Sequence, residues 1–310
     1  MYLQKFFLLL SIVCLASCKS SKIVNVPTTY CEPPTYTNIP EIAIHFNTDS
    51  LLASSPLRAK FSEQGVLLAY ATGVADDLEE FLAIGNDTTL VAKHKKTNLA
   101  LHIDTRMMYI LSEINSVSAE LDCEGERLDQ IANAIDNIND KRNNNLTVTS
   151  IVVGAAATIA GAYITNDNWN QNVTVGGGIL GAGLSFLTLN PKGAKIQIDH
   201  PHNLLRSFWK KENNNDFPAF VWYMLNEPRF SNSGKNSLLH NACNRWLQYY
   251  FDNKEKEANS SILFTDGGIY RAGEIHQRAT MINQLQSIIR SLNQNLNFFI
   301  IEINSLTKYY

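Results

Sequence analysis

The chain has 310 residues, 18% of them charged, with 26 Lys and Arg against 29 Asp and Glu for a formal net charge of −3. That near balance, with no Lys/Arg stripe, argues against nucleic acid as a main partner. The length suffices for one large or two modest domains with a substantial core, and no catalytic motif stands out.

Residues 1–17 carry one early cation, Lys5, and then the apolar run FFLLLSIVCLA, too short to span a bilayer and built like a secretory signal. It is expected to be absent from the mature protein. Leu15-Ala16-Ser17-Cys18 follows. This tetrapeptide resembles the lipobox of bacterial lipoproteins, which implies cleavage before Cys18 and acylation of its thiol, and the resemblance covers about the first twenty residues. Acyl chains contribute about 0.8 kcal/mol per buried CH₂, so a multiply acylated Cys18 holds a protein on a membrane unaided. The low-charge, Asn/Tyr/Ile-rich composition is similar to that of Bacteroidota lipoproteins, in which surface export goes with acidic residues after the Cys. Here Lys19, Ser20, Ser21 and Lys22 stand there. The resemblance therefore implies an outer-membrane lipoprotein facing the periplasm.

With Cys14 in the signal and Cys18 lipidated, Cys31, Cys123 and Cys243 remain. An oxidising compartment permits one disulfide among them, and sequence does not choose the pair. Cys123 with Cys243 is the expected pair, because both lie on predicted helices. Residues 18–57 read as a tether: Pro27, Pro33, Pro34, Pro40 and Pro56 disfavour helix. Within it 42–46 alternates like a short strand, with His45 facing solvent.

The body, 58–142 and 270–310, reads as long antiparallel helices forming a coiled-coil-like stalk. A helix over 58–84 carries Leu67, Tyr70, Val74, Leu78 and Phe81 at three-to-four spacing and stops at Gly85. A second begins near Asp87 and runs to about Asp140, with Ile103, Met107, Ile110, Ile114, Val117, Leu121, Leu128, Ile131, Ile135 and Ile138 in register. Glu124 beside Gly125 interrupts that seam, so a kink or local opening is expected at 123–126. The last helix, 271–308, repeats the pattern from Ile275 through Ile282, Ile289, Leu296 and Ile303 to Leu306. Such stripes bury against one another as core rather than lining a cofactor site.

Residues 143–191 are of a different kind. Two glycine-rich apolar arms, 147–164 and 173–189, flank a polar turn, and Asp167 in that turn is the only formal charge between Arg142 and Lys192. Small residues recur four apart at Ser150/Gly154, Ala157/Gly161 and Gly177/Gly181, the spacing that lets helix backbones approach closely in lipid. Lys141, Arg142, Lys192 and Lys195 flank the open end. Arms of this length reach roughly 26 Å, a little under a hydrocarbon core of about 30 Å. A helical hairpin that docks into a membrane or a partner is expected, centred on Gly154, Ala157, Gly161, Gly177 and Gly181. The bland alternative is two short helices packed inside a soluble bundle, or a β-hairpin.

Residues 192–269 read as a small, mostly helical cap domain, with helices near 203–211, 219–226 and 237–252. A small β-hairpin is expected over 261–270, and Asn-rich loops at 143–145 and 213–215. Asp199-His200-Pro201-His202 is the one cluster of imidazole and carboxylate. A zinc site needs three or four ligands, and no HExxH or paired CxxC supplies the rest, so a His capping the helix at Asn203 is the simpler reading. Gly176, Gly177 and Gly178 lack the Lys-Ser/Thr of a phosphate loop. Trp209, Trp222, Tyr223, Trp246, Tyr249 and Tyr250 read as core, with an interfacial role as the alternative.

The fold class expected is mainly α. The expected function is a lipid-anchored, non-enzymatic scaffold or subunit of an envelope transport or secretion assembly, without cofactor or metal. Its partners are the membrane, through acylated Cys18 and the hairpin, and other proteins or further copies of itself. The alternative is a pore-forming or membrane-perturbing protein, since long helix, apolar hairpin, long helix is similar in layout to helical-bundle toxins. An envelope hydrolase ranks last.

Overall fold

The computed structural model describes residues 31, 44, 47–163, 167–189 and 193–307. The expected signal segment, the expected lipidation site Cys18, His45 and most of the stretch read as a tether lie outside them. Among the described residues the fold is mainly α, with ten α-helices and one two-stranded sheet.

Short capped helices come first. Asn47 accepts the Ser50 amide at 2.9 Å and starts α1, Thr48–Ser54. Ser62 accepts the Gly65 amide and starts α2, Glu63–Thr72. Gly73, with φ of 77°, ends α2 in the left-handed conformation that glycine adopts without steric penalty. The next helix, α3, is Ala75–Ile84. The single helix expected over 58–84 is therefore two helices preceded by a 3₁₀ turn at Pro56–Ala59.

The helix α4, Leu90–Tyr163, runs 74 residues without a break. Thr89 accepts the Ala92 amide at its start, and Asp87 accepts that of Thr89. Two expectations fail along it. There is no opening at 123–126, because Arg127 one turn on clasps both oxygens of Glu124, at 2.9 and 2.8 Å, and neutralises the seam-breaking charge. Nor are Asn143 to Asn145 a loop: asparagine costs only a few tenths of a kcal/mol more than the best helix formers, too little to stop a helix already propagating into an apolar stretch. The second arm is α5, Asp167–Leu189.

Strand β1, Lys195–Asp199, precedes α6 at Leu204–Lys210, α7 at Ala219–Asn226, α8 at Leu238–Phe251 and α9 at Glu255–Asn259. Strand β2, Gly267–Arg271, pairs with β1 and leads into α10, Ala272–Thr307. The β-hairpin expected over 261–270 is thus corrected: Ile262–Phe264 is a 3₁₀ turn, and the strand after it pairs some seventy residues back.

The chain divides into two compact units. One holds the described residues of 129–198 and 269–276. The other holds the described residues of 27–128, 199–268 and 277–310, so most of the segment read as a separate cap shares a unit with much of the stalk helices. In that larger unit α4 and α10 are antiparallel: Gly125 lies against Asn283, Asp122 and Ser118 both bond Gln286, and Ser118 bonds Arg290. A Cβ on Gly125 would overlap the Asn283 side chain, so the glycine permits the approach that Glu124 alone would hinder. The two predicted stripes interlock there, from Ile103 to Leu128 on α4 and from Ala279 to Ile303 on α10, all buried. Beyond Leu128 the register drifts: Ala132 is buried in place of Ile131, and Ile138 is exposed.

Candidate functional site

In the smaller unit the apolar segment forms two helical arms joined across 164–166, which lie outside the described residues. Small side chains set their closeness. A Cβ on Gly177 would overlap that of Ala157, and one on Gly181 would lie 3.6 Å from the Ser150 carbonyl oxygen. Gly161 is buried as well. Gly154 instead faces open space and contributes nothing to the arm-to-arm contact.

What these residues leave outside is apolar. Val148, Ile151, Val152, Ile159 and Tyr163 on α4, with Val175 and Ile179 on α5, are exposed, Ile151 at 64% and Ile179 at 67%. An 18-residue window of α4 reaches a mean hydropathy of 1.6 with at most two charged residues, and only 11% of that window is buried. A core helix of a soluble domain would be mostly covered, and a surface helix would turn a polar face outward. This one does neither.

The larger unit holds a polar cluster built on the His-Pro-His segment after β1. His202 places Nε2 3.0 Å from Glu120 Oε1 and Nδ1 3.1 Å from Asp216 Oδ1. Only a ring protonated at both nitrogens donates to both carboxylates. Asp216 also accepts from the Ser207 hydroxyl. The hydroxyl is thus held by the carboxylate and not by the imidazole, so His202 is not placed to take its proton, and the set is a clamp rather than a nucleophile with its base.

His200, two residues back, is the opposite case. It is 3% exposed, and its Nδ1 is 3.8 Å from Glu124, beyond hydrogen-bonding range. Burial first, then the guanidinium groups of Arg278 and Arg127, holds its pKa down to about 2, so the ring is neutral. The role of helix cap expected of a His belongs to Asn203. Its Oδ1 accepts the Arg206 amide and two bonds from the buried Arg278, while its Nδ2 donates to the Leu263 and Thr265 carbonyls. Arg278 donates to Leu263 as well, at 2.8 Å. A cavity of about 30 Å³, room for one water-sized species, lies among Glu120, Glu124, His200, His202 and Arg278. Among the described residues no three His, Cys, Asp or Glu converge as metal ligands.

The disulfide expectation is corrected. Cys123 pairs with Cys31, their Cα atoms 5.6 Å apart, and not with Cys243. Cys243 is a buried thiol that donates to the Phe208 carbonyl at 3.6 Å, and burial pushes its pKa up to about 12. Shared helical location was the wrong criterion, because the partner sits in the Pro-rich stretch. Glu120, Asp216, Asn203 and Arg278 were missed too. The i,i+4 pair Glu120 and Glu124 was a readable signal of a shared helix face. Its meeting with residues some eighty positions away was not.

No family model, characterised protein or solved structure significantly matches this chain.

Proposed function

We propose that the protein is a lipid-anchored, non-enzymatic scaffold or subunit of a cell-envelope assembly, in transport or secretion, whose glycine-rich hairpin is its docking element. The observation that carries the reading is the outward apolar face of the hairpin, which is left uncovered while Ala157, Gly177 and Gly181 are used between the arms. A chain gains nothing by keeping Ile151, Ile159 and Ile179 in water unless something covers them. The lipobox-like Leu15-Ala16-Ser17-Cys18 and the disulfide support an oxidising, membrane-proximal location, an outer-membrane lipoprotein facing the periplasm. Deleting 147–189 from the full chain, with Cys18 intact, tests the function. The variant should stay with the membrane fraction through its acyl chains and lose its co-purifying assembly, whereas an unchanged assembly would refute the docking role.

The pore-forming reading draws on the same exposed window. Dye release from vesicles by the purified mature protein, abolished by the same deletion, would favour it over the scaffold.

A further inference from the structure

The docking reading leaves the counterpart of the hairpin unnamed, and the geometry of the smaller unit identifies it. At 3.6 residues per turn, Val148, Ile151, Val152, Ala155, Ala156, Ile159, Ala162 and Tyr163, all exposed, cover roughly 140° of the α4 arm. Thr158 and Ala160 widen that arc to roughly half the circumference. No formal charge falls on the arm between Arg142 and Asp167. A helix that docks on a protein needs one apolar stripe and keeps a polar back. Here the exposed arc of the α4 arm is apolar and Val175 and Ile179 are exposed on α5, and a cover that reaches both arms is a solvent rather than a groove.

Hydroxyl groups fit the same surroundings. Thr149 donates to Asn145 O at 2.7 Å, Ser150 to Thr147 O at 2.8 Å, Thr158 to Gly154 O at 2.9 Å and Ser185 to Gly181 O at 2.8 Å. Such bonds also form on water-facing helices. Their weight here is that these four hydroxyls need no water, the condition a hydrocarbon environment imposes. Charge is sorted along the hairpin: Lys141 and Arg142 before the first arm and Lys195 after the second are exposed cations, and at the other end the sequence of α5 begins with Asp167 and Trp169 among asparagines. Cations beside one interface and a polar, Trp-bearing stretch at the other are how a two-pass segment ends. Seventeen residues of the first arm, 147–163, reach about 26 Å and the 23 of α5 about 35 Å, bracketing a core of about 30 Å.

We infer that the outward face of this hairpin contacts the acyl chains of a bilayer, both arms entering from the Lys141/Arg142 side and the Asp167 end of α5 reaching the far headgroups. The inference rests on the docking reading and names its counterpart as lipid. A diazirine analogue of leucine placed singly at Ile151, Ile159 or Ile179 of the full, acylated chain tests it, with Thr97 on a water-facing turn of α4 as reference. Irradiated in the native envelope and in phosphatidylethanolamine/phosphatidylglycerol vesicles, the three outward positions should give phospholipid adducts at least tenfold above Thr97. The Thr97 reference removes lipid capture that arises only because the acyl anchor holds the chain near a membrane. Protein adducts in place of lipid would overturn the inference and leave the scaffold reading standing. Capture of water alone at all three positions would overturn both.

Discussion

The Nε2 atom of His202 lies 3.0 Å from Oε1 of Glu120, and the other nitrogen of the same ring lies 3.1 Å from Asp216. One imidazolium thus ties α4 to the segment between α6 and α7. Both carboxylates are about nine-tenths buried, so removing the ring leaves two acids short of a counter-charge. Truncating one partner of such a set costs about 3 kcal/mol. His202→Ala should lower unfolding stability by about that much near neutral pH in urea titrations. A loss well under 1 kcal/mol, the value of an exposed ion pair, would contradict the clamp.

Burial of His200 makes stability depend on pH. The folded chain holds its pKa near 2 while the unfolded chain binds a proton around the ordinary 6.5. Its contribution is therefore complete above about pH 6.5 and erodes as pH falls, by about 1.4 kcal/mol per unit. The variant His200→Leu, which has nothing to protonate, should unfold at lower pH than wild type in an acid titration followed by circular dichroism. A His200 resonance that titrates near 6.5 in the folded protein would remove the basis for this expectation.

Peptide mapping under non-reducing conditions should recover Cys31 linked to Cys123, with Cys243 unlinked. The bridge spans 92 residues, and closing a loop of that size stabilises a fold by about 4 to 5 kcal/mol in the chain-entropy treatment. Cys31→Ser should lower the melting temperature by several degrees without exposing Cys243, which should stay unreactive to iodoacetamide at pH 8 until the protein is denatured. A Cys123–Cys243 peptide would show the pairing to be otherwise.

Within the hairpin, adjacent glycines should respond differently. Gly177 faces Ala157, whereas Gly178 has open space where a side chain would go. Gly177→Leu should part the arms at about 1 to 3 kcal/mol, the usual range for overpacking, and raise hydrogen exchange along 150–161. Gly178→Leu should leave exchange unchanged. Equal effects at the two positions would mean that the arms do not meet there.

Much of the helical framework could be read from local chemistry. Ser237, Asn203 and Gly85 mark helix ends with cap or stop residues, and α7 falls where its apolar run predicts. The split at Gly73 escaped because Val74 continues the apolar spacing, and periodicity does not register a left-handed backbone. The hairpin was legible because absence of charge is a property of composition. The polar cluster was not: His202 meets Glu120 and Asp216, and Arg278 meets Asn203, through contacts set by tertiary packing, to which no local rule speaks.

The bridge at Cys31 also sets a leash. If Cys18 carries the acyl chains as proposed, thirteen residues separate the anchor from the point where the chain is pinned to α4, a reach of at most about 45 Å. That length bounds how far Cys123 can stand from the lipid surface that holds Cys18.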